Sequence, residues 1–115
     1  MVKHRQTKAT GILPRVRYRV LERDGKCCIL CGRPWYLEIA HYIGSAQGGM
    51  GIEQNLVTLC KNCHMEYDNG DYRQIHGQSI RDYLKANYKG WNEKKLVYNK
   101  YDWVTENETE STAEN

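Results

Sequence analysis

Between Tyr36 and Ile43 apolar and polar positions alternate: Leu37, Ile39, His41 and Ile43 fall on one side, Tyr36, Glu38, Ala40 and Tyr42 on the other. That period of two predicts a strand. Asn55-Leu56-Val57-Thr58-Leu59 reads as a second short strand, and Gly44 to Gly51 joins the two. Gly48-Gly49-Met50-Gly51 is not followed by Gly-Lys-Ser/Thr and sits in no βαβ unit, so it reads as a flexible turn rather than a phosphate loop. Pro14 suits the first turn of a helix, in which Val16, Tyr18, Val20 and Leu21 mix with Arg15, Arg17, Arg19 and Arg23 until Asp24-Gly25. The stretch 15–20 would equally suit a strand. Lys61 to Asn69 predicts a short helix capped at Gly70. Ile80, Tyr83, Leu84 and Tyr88 predict a helix over 79–88, and after Lys89-Gly90-Trp91 the residues Leu96, Val97, Tyr98, Tyr101 and Trp103 predict a segment lying over the core. The class is α+β, with no internal repeat.

Composition changes this picture in one respect. The chain has 115 residues, which suits one domain; its mean hydropathy is −0.80 and it contains no Phe. So small and polar a chain needs an external staple such as a metal. No apolar run approaches the roughly 20 residues of a membrane span, and no apolar signal core follows the first residues, so no membrane association and a cytoplasmic location are expected. Charge is unevenly placed. Residues 1–33 hold nine Lys/Arg against Glu22 and Asp24, whereas 104–115 hold four Glu and no base. Residues 1–103 are expected to form the single domain and 104–115 an acidic disordered tail. The basic front suggests a phosphate-rich partner.

The five cysteines include two C-x-x-C pairs, Cys28-Ile29-Leu30-Cys31 and Cys60-Lys61-Asn62-Cys63. Two such pairs supply the four thiolates of a tetrahedral structural Zn2+ site, each wrapping a tight turn around the ion. The zinc would make up for the small core, because its binding free energy becomes folding free energy. Cys27 is the odd one out, expected as a buried or half-buried free thiol.

Strand, glycine loop, strand and helix lie between and beyond the zinc turns, and they carry His41, Asn55 and His64. Cys28-Ile-Leu-Cys31-Gly32, Ile39-Ala40-His41-Tyr42-Ile43, Gly48-Gly49, Asn55-Leu56-Val57-Thr58-Leu59-Cys60 and Cys63-His64 together resemble the HNH endonuclease family, over about residues 15–70. The likeness is to small free-standing members common in phages and prophages. It implies a ββα-metal (His-Me finger) core over about 36–70, stapled by the four-cysteine zinc site and flanked by helices.

What the resemblance implies is metal-dependent hydrolysis of DNA phosphodiesters, as an endonuclease or nickase. His41 would be the general base, a role that histidine's ordinary pKa of about 6.5 suits. His64 would bind a divalent cation, Mg2+ or Mn2+, that stabilises charge on the phosphate and the leaving 3′ oxygen. Asn55 would either ligate the ion or pin the loop that aims His41. Many relatives carry an acid or histidine ligand immediately before the base, where this chain has Ala40. Asp68, four residues after His64 and so on the same helix face, is the favoured substitute; Glu38, on the strand face of Ala40, competes with it. DNA is the expected partner, in the cytoplasm of a host cell if the protein is phage-encoded, with phage packaging proteins as candidate directors. Two readings compete with the enzyme: a non-catalytic zinc-stapled DNA-binding module, and a zinc-ribbon adaptor for proteins, which would leave His41, Asn55 and His64 unexplained.

Overall fold

The computed structural model describes residues 5–99, and the backbone alone for residues 5–7. In chain order the elements are α1 (Arg5–Thr10), α2 (Pro14–Arg23), β1 (Leu37–His41), β2 (Leu56–Cys60), α3 (Lys61–Asn69) and α4 (Arg73–Asn87), with 3-10 turns at Ser45–Gln47, Glu53–Asn55 and Glu93–Leu96. The two strands form an antiparallel hairpin, in register from Leu37↔Cys60 to His41↔Leu56. A two-stranded hairpin is marginal by itself, and here helices cover both faces. On one face Ile39 and Leu56 pack with Val16 and Val20 of α2. On the other, Ala40, Val57 and Leu59 meet Tyr67 of α3 and Ile80 and Leu84 of α4. This is the expected α+β hairpin with flanking helices.

The departures from expectation have local causes. β1 is shorter than 36–43 because Tyr36 has a φ of 54°, which no strand accommodates. At the other end the Tyr42 N–H still donates to the Asn55 carbonyl in register (2.7 Å), but the Asn55 N–H turns away to the Ile52 carbonyl (2.8 Å) and the ladder stops. Stretch 15–20 is helical, with Pro14 in the first turn and Val16 and Val20 buried four apart. Gly70 closes α3 with a φ of −94°, so it is needed for space rather than for a left-handed turn: a Cβ there would come within 2.8 Å of the Glu66 carbonyl. Helix α4 starts six residues before position 79, since Arg73–Gln78 offers only the exposed Ile75 as a large apolar residue and therefore no stripe to read. Helix α1 has no counterpart in the sequence reading.

The glycine loop is not a flexible turn. Gly48, Gly49 and Gly51 are buried. A Cβ on Gly49 would lie 1.7 Å from the Ile43 carbonyl, and one on Gly51 would lie 2.1 Å from the Gly11 carbonyl. The segment after α4 closes over this loop as expected, through buried Leu96 and a bridge between Val97 and Gly49. Tyr101, Trp103 and the tail 104–115 lie outside the described residues.

Candidate active site and zinc centre

The sulfurs of Cys28, Cys31, Cys60 and Cys63 lie within 4.8 Å of one another. Tetrahedral Zn–S bonds of about 2.3 Å place sulfurs roughly 3.8 Å apart, and Cys31 Sγ and Cys60 Sγ are separated by 3.6 Å. In each pair the N–H of the second cysteine donates to the first sulfur, Cys31 to Cys28 at 3.5 Å and Cys63 to Cys60 at 3.4 Å. Burial works to raise the Cys60 thiol, but the Cys63 N–H and neighbouring thiols outweigh it and bring it down to about 7. The donor set fits zinc. Cys60 ends β2 and caps α3, so the ion would fix the strand-to-helix junction to the turn preceding β1. Cys27 stands apart from the cluster, half-buried, with its thiol on the Asp24 carbonyl.

Asn55 is fully buried, and its amide is consumed by the loop. Oδ1 accepts the Ile43 N–H (2.9 Å), while Nδ2 donates to the carbonyls of Ile43 (3.1 Å) and Met50 (2.9 Å). A flipped amide would set its oxygen against two carbonyls, so this orientation is fixed by the network. Of the two roles open to Asn55, pinning the loop is the one this geometry performs.

His41 ends β1 with its Nε2 2.8 Å from the Thr10 carbonyl oxygen. A carbonyl only accepts, so Nε2 carries the proton and the lone pair of the neutral ring is on Nδ1. The carbonyl belongs to a strap, residues 9–11, that runs beside the glycine loop. The Gly51 N–H donates to the Ala9 carbonyl (2.9 Å), and the Gly51 Cα approaches Gly11 as closely as only glycine permits. No sequence pattern pointed to Thr10, because a backbone acceptor can come from any residue type.

On α3, His64 is held between two acids. Nδ1 is 2.6 Å from Glu38 Oε1, and Nε2 is 3.3 Å from Asp68 Oδ2. With Nδ1–H donated to Glu38, the Nε2 lone pair of the neutral ring faces a carboxylate oxygen. Two acceptors in apposition need a cation or a proton between them. Ligand atoms bound at about 2.1 Å and at right angles are separated by roughly 3 Å, close to the observed gap. Ala40 is 1% exposed and packs in the apolar core, so this position offers no ligand. Glu38 and Asp68 thus both reach His64, but through different ring nitrogens.

Helix α2 braces this end of the molecule. The Arg23 guanidinium bonds both oxygens of Asp24 (2.7 and 3.1 Å), the carbonyls of Glu53 (2.9 Å) and Leu56 (2.7 Å) on either side of Asn55, and the Tyr88 hydroxyl (3.0 Å). Burial lowers its pKa, but Asp24 and Tyr88 raise it by more. The arginines of the basic front therefore divide: Arg15 and Arg17 are exposed, Arg19 pairs with Glu53, and Arg23 is structural.

A family profile described as HNH endonuclease matches residues 28–70. That span takes in both zinc turns, the hairpin, Asn55 and α3. Over residues 28–70 the chain is similar to the HNH endonuclease family. The chain is also similar to the Type IV methyl-directed restriction enzyme EcoKMcrA of Escherichia coli (strain K12), with 36% identity over 62 residues covering 46% of this chain and 22% of that enzyme. Among solved structures, the Type IV phosphorothioation-dependent restriction endonuclease ScoMcrA aligns with a TM-score of 0.54 and 26% identity, over 64% of this chain and 16% of that one. The chain thus spans about a fifth or less of the length of these two relatives. None of its helices among the described residues is long and apolar enough to cross a membrane.

Proposed function

We propose that this chain is a divalent-metal-dependent DNA endonuclease or nickase. The observation that carries the reading is the setting of His64, whose Nδ1 is held by Glu38 while Nε2 faces Asp68. His64 Nε2 and Asp68 are the residues that would hold a Mg2+ or Mn2+ ion. Glu38 positions the His64 ring from behind, the arrangement by which acids commonly fix metal-binding histidines. The ion, when bound, supplies charge stabilisation at the phosphate and at the leaving 3′ oxygen.

His41 accepts a proton from the attacking water on Nδ1, as the water oxygen bonds to phosphorus and the bond from phosphorus to the 3′ oxygen breaks. The developing imidazolium strengthens the Nε2–H bond to Thr10, since charge-assisted hydrogen bonds are the stronger kind. Asn55 keeps the loop after β1 in place and so aims His41. The exposed Arg15 and Arg17 would contact phosphates without reading sequence. Support comes from the family match and from two restriction enzymes among the relatives. Phage packaging proteins as partners rest on the resemblance alone.

Plasmid cleavage against magnesium and manganese concentration tests this, comparing wild type with His41→Ala, Asp68→Ala and Glu38→Gln. His41→Ala should lose about 10²–10⁴-fold in rate at unchanged zinc content. Asp68→Ala should shift the metal curve most, and Glu38→Gln should raise the metal requirement about 10- to 100-fold, as for a group behind the ligand. Intact plasmid at every metal concentration, with DNA binding retained, would make the chain a non-catalytic binding module.

A further inference from the structure

Beside the zinc turn, the start of β1 and the first turn of α3 enclose an open groove of about 370 Å³. Its walls carry three large exposed side chains, Trp35 at 58%, Tyr36 at 79% and Met65 at 57%, flanked by Arg33 and Lys61. Both cations are exposed, and neither has an ion pair among the described residues. Tyr36 sits at a φ of 54°, in the left-handed region that strains a non-glycine residue. Its carbonyl is fixed by the Lys61 N–H at 2.8 Å. The backbone is thus strained and tied down where it holds an aromatic ring out into solvent.

We propose that this groove takes an unpaired nucleobase, stacked on Trp35 and Tyr36, with Arg33 and Lys61 on the adjoining phosphates. This deepens, and rests on, the DNA-cleaving reading. Aromatic faces with flanking cations are the chemistry that holds single-stranded nucleic acid, because every base has a face to stack and every nucleotide a phosphate. The volume is at the small end of ligand pockets, where one planar ring fits and a folded peptide segment does not. Position agrees with this. Tyr36 comes two residues before Glu38, so their Cα atoms are at most about 7 Å apart, and Lys61–Met65 is the helical turn beside His64. The groove and the His64 site therefore adjoin along the start of β1 and the first turns of α3, and their backbones are about two base steps of roughly 3.4 Å apart. A base stacked there would belong to a nucleotide next to the scissile phosphate, giving preference for gapped, flapped or locally melted DNA over perfect duplex.

The test is fluorescence anisotropy with the full zinc-loaded chain and no added magnesium, on two end-labelled oligonucleotides of one sequence, one fully paired and one with a short unpaired gap. Wild type should bind the gapped DNA more tightly. Trp35→Ala and Tyr36→Ala should each weaken gapped binding by roughly 5- to 150-fold, the worth of one stacked base, and leave duplex binding unchanged. Trp35→Phe, which keeps a stacking ring, should retain most of the preference. Duplex binding without any gap preference, or a preference that survives Trp35→Ala, overturns the groove while leaving the nuclease reading intact. Absence of binding to either DNA overturns both. Concentration-dependent dimers that Trp35→Ala abolishes, with gapped-DNA affinity unchanged, would replace the base with a second copy of the chain.

Discussion

Replacing Arg23 by Met keeps most of the side-chain stem and removes the guanidinium that ties α2 to the hairpin and α4. The consequence can be worked from its partners. The Asp24 side chain is fully buried and that of Arg23 is 14% exposed, so solvent cannot replace what is lost. Asp24 would keep the Thr58 N–H (2.7 Å) and the Tyr83 hydroxyl (2.6 Å) but no counter-charge, and the carbonyls of Glu53 and Leu56 would each lose a donor. Breaking one side of a buried pair costs about 3–5 kcal/mol. Against the ~5–15 kcal/mol total of a small domain, that lowers the folded-to-unfolded ratio roughly 150- to 5,000-fold. The assay is urea unfolding followed by circular dichroism at saturating zinc, so that metal loss does not govern the transition. Asp24→Asn keeps an acceptor for Thr58, and in the double variant with Arg23→Met the losses should fall short of additive by about 1–3 kcal/mol. A loss below about 1 kcal/mol for Arg23→Met, or strict additivity, would show that this arginine behaves as a solvated surface charge and that α2 is held by Val16 and Val20 alone.

Strong chelation that removes zinc from the four cysteines should abolish cooperative unfolding, since the junctions of β1 and α3 lose their common anchor; a zinc-free chain that still melts cooperatively would refute this. Gly51→Val should displace the Gly11 carbonyl, free His41 from Thr10 and slow cleavage by about tenfold or more, short of the 10²–10⁴-fold lost with the base itself. Imidazole nitrogen shifts would report the lost tautomer preference, and the metal requirement should not move. Neutralising Arg15 and Arg17 should flatten the salt dependence of DNA binding by about 0.9 per phosphate contact in the logarithmic slope, whereas Arg19→Gln should change it little because Glu53 already holds that side chain.

Residue order revealed the parts of this protein whose cause is local. Period-two alternation located β1, the short run 55–59 located β2, and the paired C-x-x-C spacing located the zinc centre, because all three depend on neighbours in sequence. The i,i+4 spacing brought Asp68 to His64, as the helix requires. Long-range relations were not legible. Glu38 could be placed on the right strand face but not behind the His64 ring, which depends on how α3 lies across the hairpin. Arg23 looked like one more arginine in a basic row, since nothing in sequence says that its helix turns it inward onto Asp24. The glycine loop read as flexible because glycine signals freedom as often as close approach, and only the nearness of Ile43 and Gly11 distinguishes the two.

The hydrogen bond from His41 to Thr10 also sets a limit on transplanting the motif. The family-matched span begins at Cys28 and ends at Gly70, so a graft of it into another scaffold would carry the zinc ligands, Asn55, His64 and Asp68. It would leave behind the carbonyl that dictates which ring nitrogen is basic. Such a graft should bind metal and fold around zinc, yet sample both imidazole tautomers, and nuclease engineering with this unit would need either the strap from residue 9 to residue 11 or a designed acceptor in its place.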